Sequence, residues 1–163
     1  MWGVCMVLSV RTKSLIKNLS IPLIVGAVAG FLTNSDVKEF MATAKQPFFS
    51  PPGWVFPVVW TILYALMGFA AYVIENTSSP RKSRALTIYY IQLFFNFVWS
   101  FIFFSVGNYL FAFLWIIILW LLIIATILEF KMIKNRAAYI LIPYLIWVTF
   151  AAVLNFSVYL LNK

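Results

Sequence analysis

The chain has no histidine, one cysteine and only four acidic residues in 163. Each shortage excludes something. Cys5 alone cannot form an internal disulfide, and without histidine the usual zinc clusters cannot be assembled, so no metal site is expected. Charged residues make up 10% of the chain and hydrophobic residues 64%. A soluble domain carries about 25% charge, so this composition is that of an integral membrane protein. The length allows one compact bundle and leaves no room for a large soluble domain. A net charge of +8 would suggest nucleic acid in a soluble protein. Here the basic residues sit in short clusters beside apolar runs, the pattern of topology signals and anionic lipid contacts. The expected partner is the lipid bilayer, and no nucleic acid.

Roughly 20 apolar residues cross a bilayer as a helix. Five segments qualify, at about 15–33, 54–74, 85–105, 109–129 and 137–161. They predict an all-α membrane protein, a bundle of five transmembrane helices in a single domain over 15–163. The apolar start, MWGVCMVLSV, precedes its positive charges and is too short to span, so it is not a secretory signal. Residues 1–14 are read as an interfacial or disordered extension, unless Met6 is the true start. "ENTSSPRKSR", "SVGNY" and "EFKMIKNR" break the later spans. The shortness of "SVGNY" makes spans three and four antiparallel neighbours. Only the first link, 34–53, is long. It holds "DVKEFMATAK", which predicts a short interfacial helix, followed by "KQPFFSPPGWVFPVVW". Long loops in compact folds are often functional. Nine Lys and Arg lie on the side of the N-terminus and three on the other. This places the N-terminus in the cytoplasm and the C-terminus outside. There is no internal repeat of the kind many transporters show.

No titratable acid or base lies deep in any span. Ion-coupled transport and ordinary acid–base catalysis both depend on such groups. What remains is neutral and aromatic. Gln92, Asn96, Trp99, Ser100 and Phe103 share one face of span three. A bare amide in hydrocarbon costs several kcal/mol in the least forgiving reference states, so this face turns into the bundle. There it either ties helix to helix or lines a cavity. Span five repeats the pattern with Pro143, Trp147, Ala151 and Asn155 at successive fours. Trp147 lies near mid-membrane, where its indole N–H needs a partner. Ala151 leaves a gap beside the ring, for a neighbouring helix or for a flat ligand. Span two adds Trp60 and Tyr64, one turn apart. Trp115 and Trp120 are deep without converging polar neighbours and read as packing. Gly26 and Gly30 form a GxxxG pattern, for approach within the bundle or across a homodimer.

Taken together, "QPFFSPPGWVFPVVWTILY", "QLFFNFVWSFIFF" and "LIPYLIWVTFAAVLN" resemble the translocator protein family, the tryptophan-rich sensory proteins once called peripheral benzodiazepine receptors. The resemblance covers 15–163. It implies a five-helix bundle, often dimeric, that binds protoporphyrin-like tetrapyrroles and other flat hydrophobic ligands under the loop joining the first two helices. The porphyrin is a ligand, and no cofactor is expected. By this resemblance Trp60, Asn96, Trp147 and Ala151 wall the cavity, and Pro51, Pro52 and Trp54 frame its mouth. Tyr64, Gln92, Trp99 and Asn155 join them as ligand-binding candidates from the faces described above. The function expected is a receptor or carrier in a bacterial cell membrane. The alternative is an enzyme that degrades porphyrin with light or oxygen, with Trp60 and Trp147 as catalytic candidates. Lys38 and Lys45 on the first loop are candidates for contacting propionates. Leu154, Tyr159 and Lys163 fit a loose sterol-contact pattern, but they depart from the animal form and predict no sterol function. The proline-rich segment reads as a stiff extended lid, or as a cap that only seals the bundle end.

Overall fold

The structure is a computed structural model. It describes the backbone of residues 2–163 and side chains from residue 11 onward; Met1 and the Cys5 side chain lie outside the described residues, and from Trp2 the expected extension 1–14 is the start of a helix continuous with the first span. Seven helices follow in order: α1 (Trp2–Leu32), α2 (Asn34–Thr43), α3 (Val55–Glu75), α4 (Lys82–Ser100), α5 (Tyr109–Ile133), α6 (Asn135–Ile140) and α7 (Ile142–Asn162). A π-helical turn, Phe101–Ser105, extends α4. No strand occurs among the described residues. Five segments are long and apolar enough to cross a membrane: Arg11–Leu32, Val55–Glu75, Lys82–Ser105, Tyr109–Ile133 and Asn135–Asn162. The protein is a multi-pass integral membrane bundle.

Packing explains the neighbours. α1 lies along α3, and the approach is so close that Gly68 of α3 has no room for a side chain. A Cβ there would sit 2.5 Å from the Asn18 carbonyl oxygen and 2.8 Å from Leu19 Cα. Pro22, inside α1, rests against the same glycine. α4 and α5 are antiparallel neighbours, as the short "SVGNY" link requires. Gly107 makes that reversal with a φ of 65°, which suits glycine. Asn108 then caps α5 by accepting from the Phe111 amide at 3.1 Å.

The fifth span is not one helix. It breaks at Leu141, between α6 and α7. Pro143 is the cause: it lacks the N–H that would bond the Tyr139 carbonyl and its ring crowds that carbonyl, whereas in the first turn of α7 no such bond is needed. The link after α1 also differs from a simple extended lid. α2 forms as predicted, but the following segment folds into two turns. Ser50 N donates to the Pro47 carbonyl and Val55 N to the Pro52 carbonyl, each at 2.9 Å.

The bundle end opposite α2 carries the ion pairs. Glu75 at the end of α3 accepts from Ser14, Lys17 and Asn18 of α1. Glu129 of α5 holds Arg84 at 2.9 Å and Arg81 at 3.7 Å. These acids sit at helix ends, which keeps the interior neutral.

Candidate functional site

At the α2 end the helices enclose a cavity of about 680 Å³, within the roughly 300–1,000 Å³ range of small-molecule sites. Its walls come from α1, α3, α4 and α7, and α2 closes the top. Trp60, Tyr64, Trp99, Trp147, Ala151 and Asn155 all line it. The helical spacing of Trp60 and Tyr64 on α3, and of Trp147, Ala151 and Asn155 on α7, turns each set to one side. The two faces meet across the cavity.

Gln92 and Asn96 lie behind that lining and do not form part of it. Each is 1% exposed. They belong to a hydrogen-bond chain that joins three helices. Tyr64 Oη donates to Asn96 Oδ1 at 2.5 Å, Asn96 Nδ2 donates to Tyr144 Oη at 3.0 Å, and Tyr144 Oη donates to Gln92 Oε1 at 2.9 Å. Tyr144 is the member that sequence reading missed. It sits three residues before Trp147 and seven before Ala151, so its place on the α7 face was available from spacing.

The tryptophans divide by what their indole N–H finds. Trp99 donates to Asn155 Oδ1 at 3.3 Å, while Asn155 Nδ2 donates to the Tyr109 carbonyl at 2.8 Å. Trp115 donates to the Phe95 carbonyl and Trp120 to Thr149 Oγ1, both at 2.9 Å. These two pack as expected, but each has a polar partner that the sequence did not suggest. Trp147 differs. Its Nε1 is buried and has no acceptor among the described residues. Its ring leans on Phe56 and Phe150, at centroid distances of 6.0 and 5.4 Å. Buried donors are rarely left unpaired, and among the tryptophans with a buried indole N–H only Trp147 lacks an acceptor among the described residues.

The mouth is built differently from the expectation. Pro51, Pro52 and Trp54 do not line the cavity. Trp54 is 69% exposed and points away, and Phe48 is fully exposed. From the same segment Ser50, Gly53, Phe56, Pro57 and Trp60 reach the lining. The main covering aromatic is Phe40 of α2, which packs edge-on against Phe103 and Phe104 at 5.1 and 5.5 Å. Nothing in the apolar pattern of "DVKEFMATAK" singled it out. Lys38 and Lys45 are exposed and off the lining. Lys45 is instead tied by its backbone: its N–H donates to Asn162 Oδ1 at 2.9 Å and its carbonyl accepts from Asn162 Nδ2 at 2.8 Å. Asp36 accepts from Ser105 of the π-helical turn. Gly26 is covered by the Tyr64 ring, which a Cβ would overlap, so it packs within the bundle. Leu154 is buried and lines the cavity. It therefore does not share a lipid face with Tyr159 and Lys163. No group of three metal-ligating side chains occurs among the described residues.

Five membrane spans, four of which wall a tryptophan-lined internal cavity closed by a short helix, make this a cavity-bearing membrane protein of the all-α class. The sequence profile of the TspO/MBR family matches residues 18–161, and the chain belongs to that family. The tryptophan-rich protein TspO of Archaeoglobus fulgidus is 36% identical over 148 residues, 91% of this chain and 96% of that protein. The tryptophan-rich sensory protein of Cereibacter sphaeroides is 36% identical over 136 residues, 83% of this chain and 84% of that one. The translocator protein of Ovis aries is 29% identical over 147 residues, 86% of this chain and 87% of that one.

Proposed function

We propose that the protein is a receptor or carrier that binds porphyrins and other flat hydrophobic ligands in this cavity. The observation that carries the reading is a cavity of about 680 Å³ whose mostly apolar wall carries Trp60, Trp99 and Trp147, the last with an N–H that has no acceptor among the described residues. Trp60 and Trp147 offer ring faces for a flat guest, Ala151 leaves room beside them, and Trp147 offers one donor to a ring nitrogen or carboxylate. The porphyrin's propionates stay at the α2 end, the end that carries the exposed Lys38 and Lys45, because carboxylates buried without partners are costly. The basic charge bias favours an orientation with the N-terminus in the cytoplasm. A homodimer would use a bundle face other than Gly26.

Titration of purified protein with protoporphyrin in the dark, followed by illumination, tests the reading. Saturable quenching of tryptophan fluorescence without a new chromophore supports binding. A new chromophore supports the enzyme alternative. One contact favours that alternative: the Trp60 ring lies 5.6 Å from Tyr64 and 6.3 Å from Tyr144, neighbours that could share a radical. Absence of both signals rejects a porphyrin function.

Trp147→Phe is expected to weaken protoporphyrin binding about 3- to 10-fold, the worth of one neutral hydrogen bond, since phenylalanine keeps the ring but not the donor. Trp120→Phe should change it by less than about twofold, because a single lost bond to Thr149 lies off the cavity. Equal losses in the two variants, with folding intact, would remove Trp147 from the site.

Metal-free protoporphyrin should bind at least as well as haem. Haem iron takes His, Cys, Met or Tyr as axial ligand. The Tyr64 hydroxyl is engaged with Asn96, and Met67 is buried away from the cavity. Met41 does line the cavity, but its sulfur accepts from Gln46 Nε2 at 3.3 Å. Replacing Lys38 and Lys45 by alanine should weaken both ligands alike. A much tighter haem complex, with a Soret shift lost on changing Met41 or Tyr64, would overturn recognition of the ring as a plate.

A further inference from the structure

We propose that the cavity exchanges its guest sideways with the bilayer, through a gap between α1 and α3 at Gly30, and not past the α2 end. This rests on the reading that the cavity holds a lipid-soluble flat ligand.

The α1–α3 interface changes character along its length. At Gly68 the two backbones nearly touch, and at Gly26 the Tyr64 ring fills the groove. Gly30 is one turn beyond Gly26 on the same face of α1, so continued close packing would press it against α3 near Trp60 and Thr61. Instead, a Cβ at Gly30 would meet nothing within 4 Å. The helices therefore part at that level. Gly30 and Ala27 on α1, and Pro57 and Thr61 on α3, line the cavity and are also exposed. The rim suits hydrocarbon. Gly30, Ala27 and Pro57 present no polar side chain, and Thr61 Oγ1 already donates to the Pro57 carbonyl at 2.8 Å. A rim facing lipid needs its polar groups satisfied internally.

The α2 end is the tighter exit. Phe40 is wedged against Phe103, Phe104 and Tyr109. Asp36 is tied to Ser105, and both backbone groups of Lys45 are tied to Asn162. Opening there breaks three hydrogen bonds and an aromatic cluster. Widening the gap at Gly30 breaks none of the hydrogen bonds found at that rim. The gap also lies at the α2 end of the bundle, so a ligand with two carboxylates can slide in while they stay near the polar surface. Gly30 then acts as the residue that sets the width, and so the size, of what enters.

The test uses the full chain in nanodiscs of phosphatidylcholine and phosphatidylglycerol, with protoporphyrin added in stopped flow and tryptophan quenching as the readout. Gly30→Leu should slow association about tenfold, a narrowed path being expressed in the on-rate, and it should slow release too. A side chain that merely crowded the bound ligand would speed release. Lys45→Cys with Asn162→Cys, in a Cys5→Ser background, closes the other route when oxidised. Its association rate should be the same, oxidised or reduced. Loss of association on oxidation, or Gly30→Leu association as fast as that of the unaltered chain, or faster release from Gly30→Leu, would overturn the lateral route. If the unaltered chain shows no equilibrium quenching at all, the porphyrin reading falls, and the route with it. Equilibrium binding with the wrong kinetics overturns the route alone.

Discussion

Gly68→Ala is expected to destabilise the bundle by about 2–3 kcal/mol, the upper part of the range for overpacking a filled interface, while Gly30→Ala leaves it unchanged or slightly firmer. The added methyl at Gly68 meets the Asn18 carbonyl oxygen and Leu19 Cα. Both are backbone atoms, so no rotamer change relieves the clash, and α1 must shift as a body. That shift also strains the Asn18 contact with Glu75, about two turns beyond Gly68 on α3. At Gly30 the methyl enters open space, and alanine is the better helix former by about 1 kcal/mol. Thermal unfolding of both variants in detergent checks the contrast. Similar midpoints would mean that α1 and α3 are not in van der Waals contact at Gly68.

Asn96→Leu should cost about 2–4 kcal/mol, and the size of the effect separates two contributions. Hydrogen bonds between membrane helices average only about 0.6 kcal/mol each, so two lost bonds would account for little more than 1. The rest comes from what is left behind. Tyr144 keeps Gln92 as acceptor, but the Tyr64 hydroxyl loses Asn96 and stays buried. A stranded buried donor costs about 1–3 kcal/mol. The unfolding midpoint should fall by about 5–10 °C for a chain of this size, and the Tyr64 ring, which also covers Gly26, should become mobile. A drop of only a degree or two would show that Tyr64 finds another acceptor and that the chain of amides and phenols is not what sets the cavity floor.

Much of this architecture was readable beforehand because a bilayer simplifies the problem. Twenty apolar residues and a charged or turn-forming break define a span, and the helical repeat then assigns faces. Hence Trp60 with Tyr64, and Trp147 with Ala151, fall on one wall. What could not be read depends on partners that leave no mark in composition. Trp115 is satisfied by a backbone carbonyl, which every residue carries. Trp120 finds Thr149, whose hydroxyl also donates back to the Leu145 carbonyl. The helical repeat turns Gln92 and Asn96 inward, but whether they meet a guest or other helices depends on Tyr144, a residue on a different helix whose spacing of 52 and 48 positions leaves no local pattern. The segment around Pro51 and Pro52 misled in another way. Its aromatics suggested a cover over the cavity, yet its turns send Phe48 and Trp54 outward, and α2 supplies the covering ring. Proline stiffness is legible in a sequence; the direction in which a stiff segment points is not.

The clasp between Lys45 and Asn162 joins positions 117 residues apart. Contacts of such separation form late, after the intervening chain has been ordered. While the protein is being made and inserted helix by helix, the first loop is complete long before its anchor exists. The cavity therefore passes through an unroofed stage, with α1 and α3 paired while α7 is still to arrive. Anything that delays or alters the last turn of α7, such as a fusion attached directly after Lys163, acts on the roof of the opposite end of the sequence.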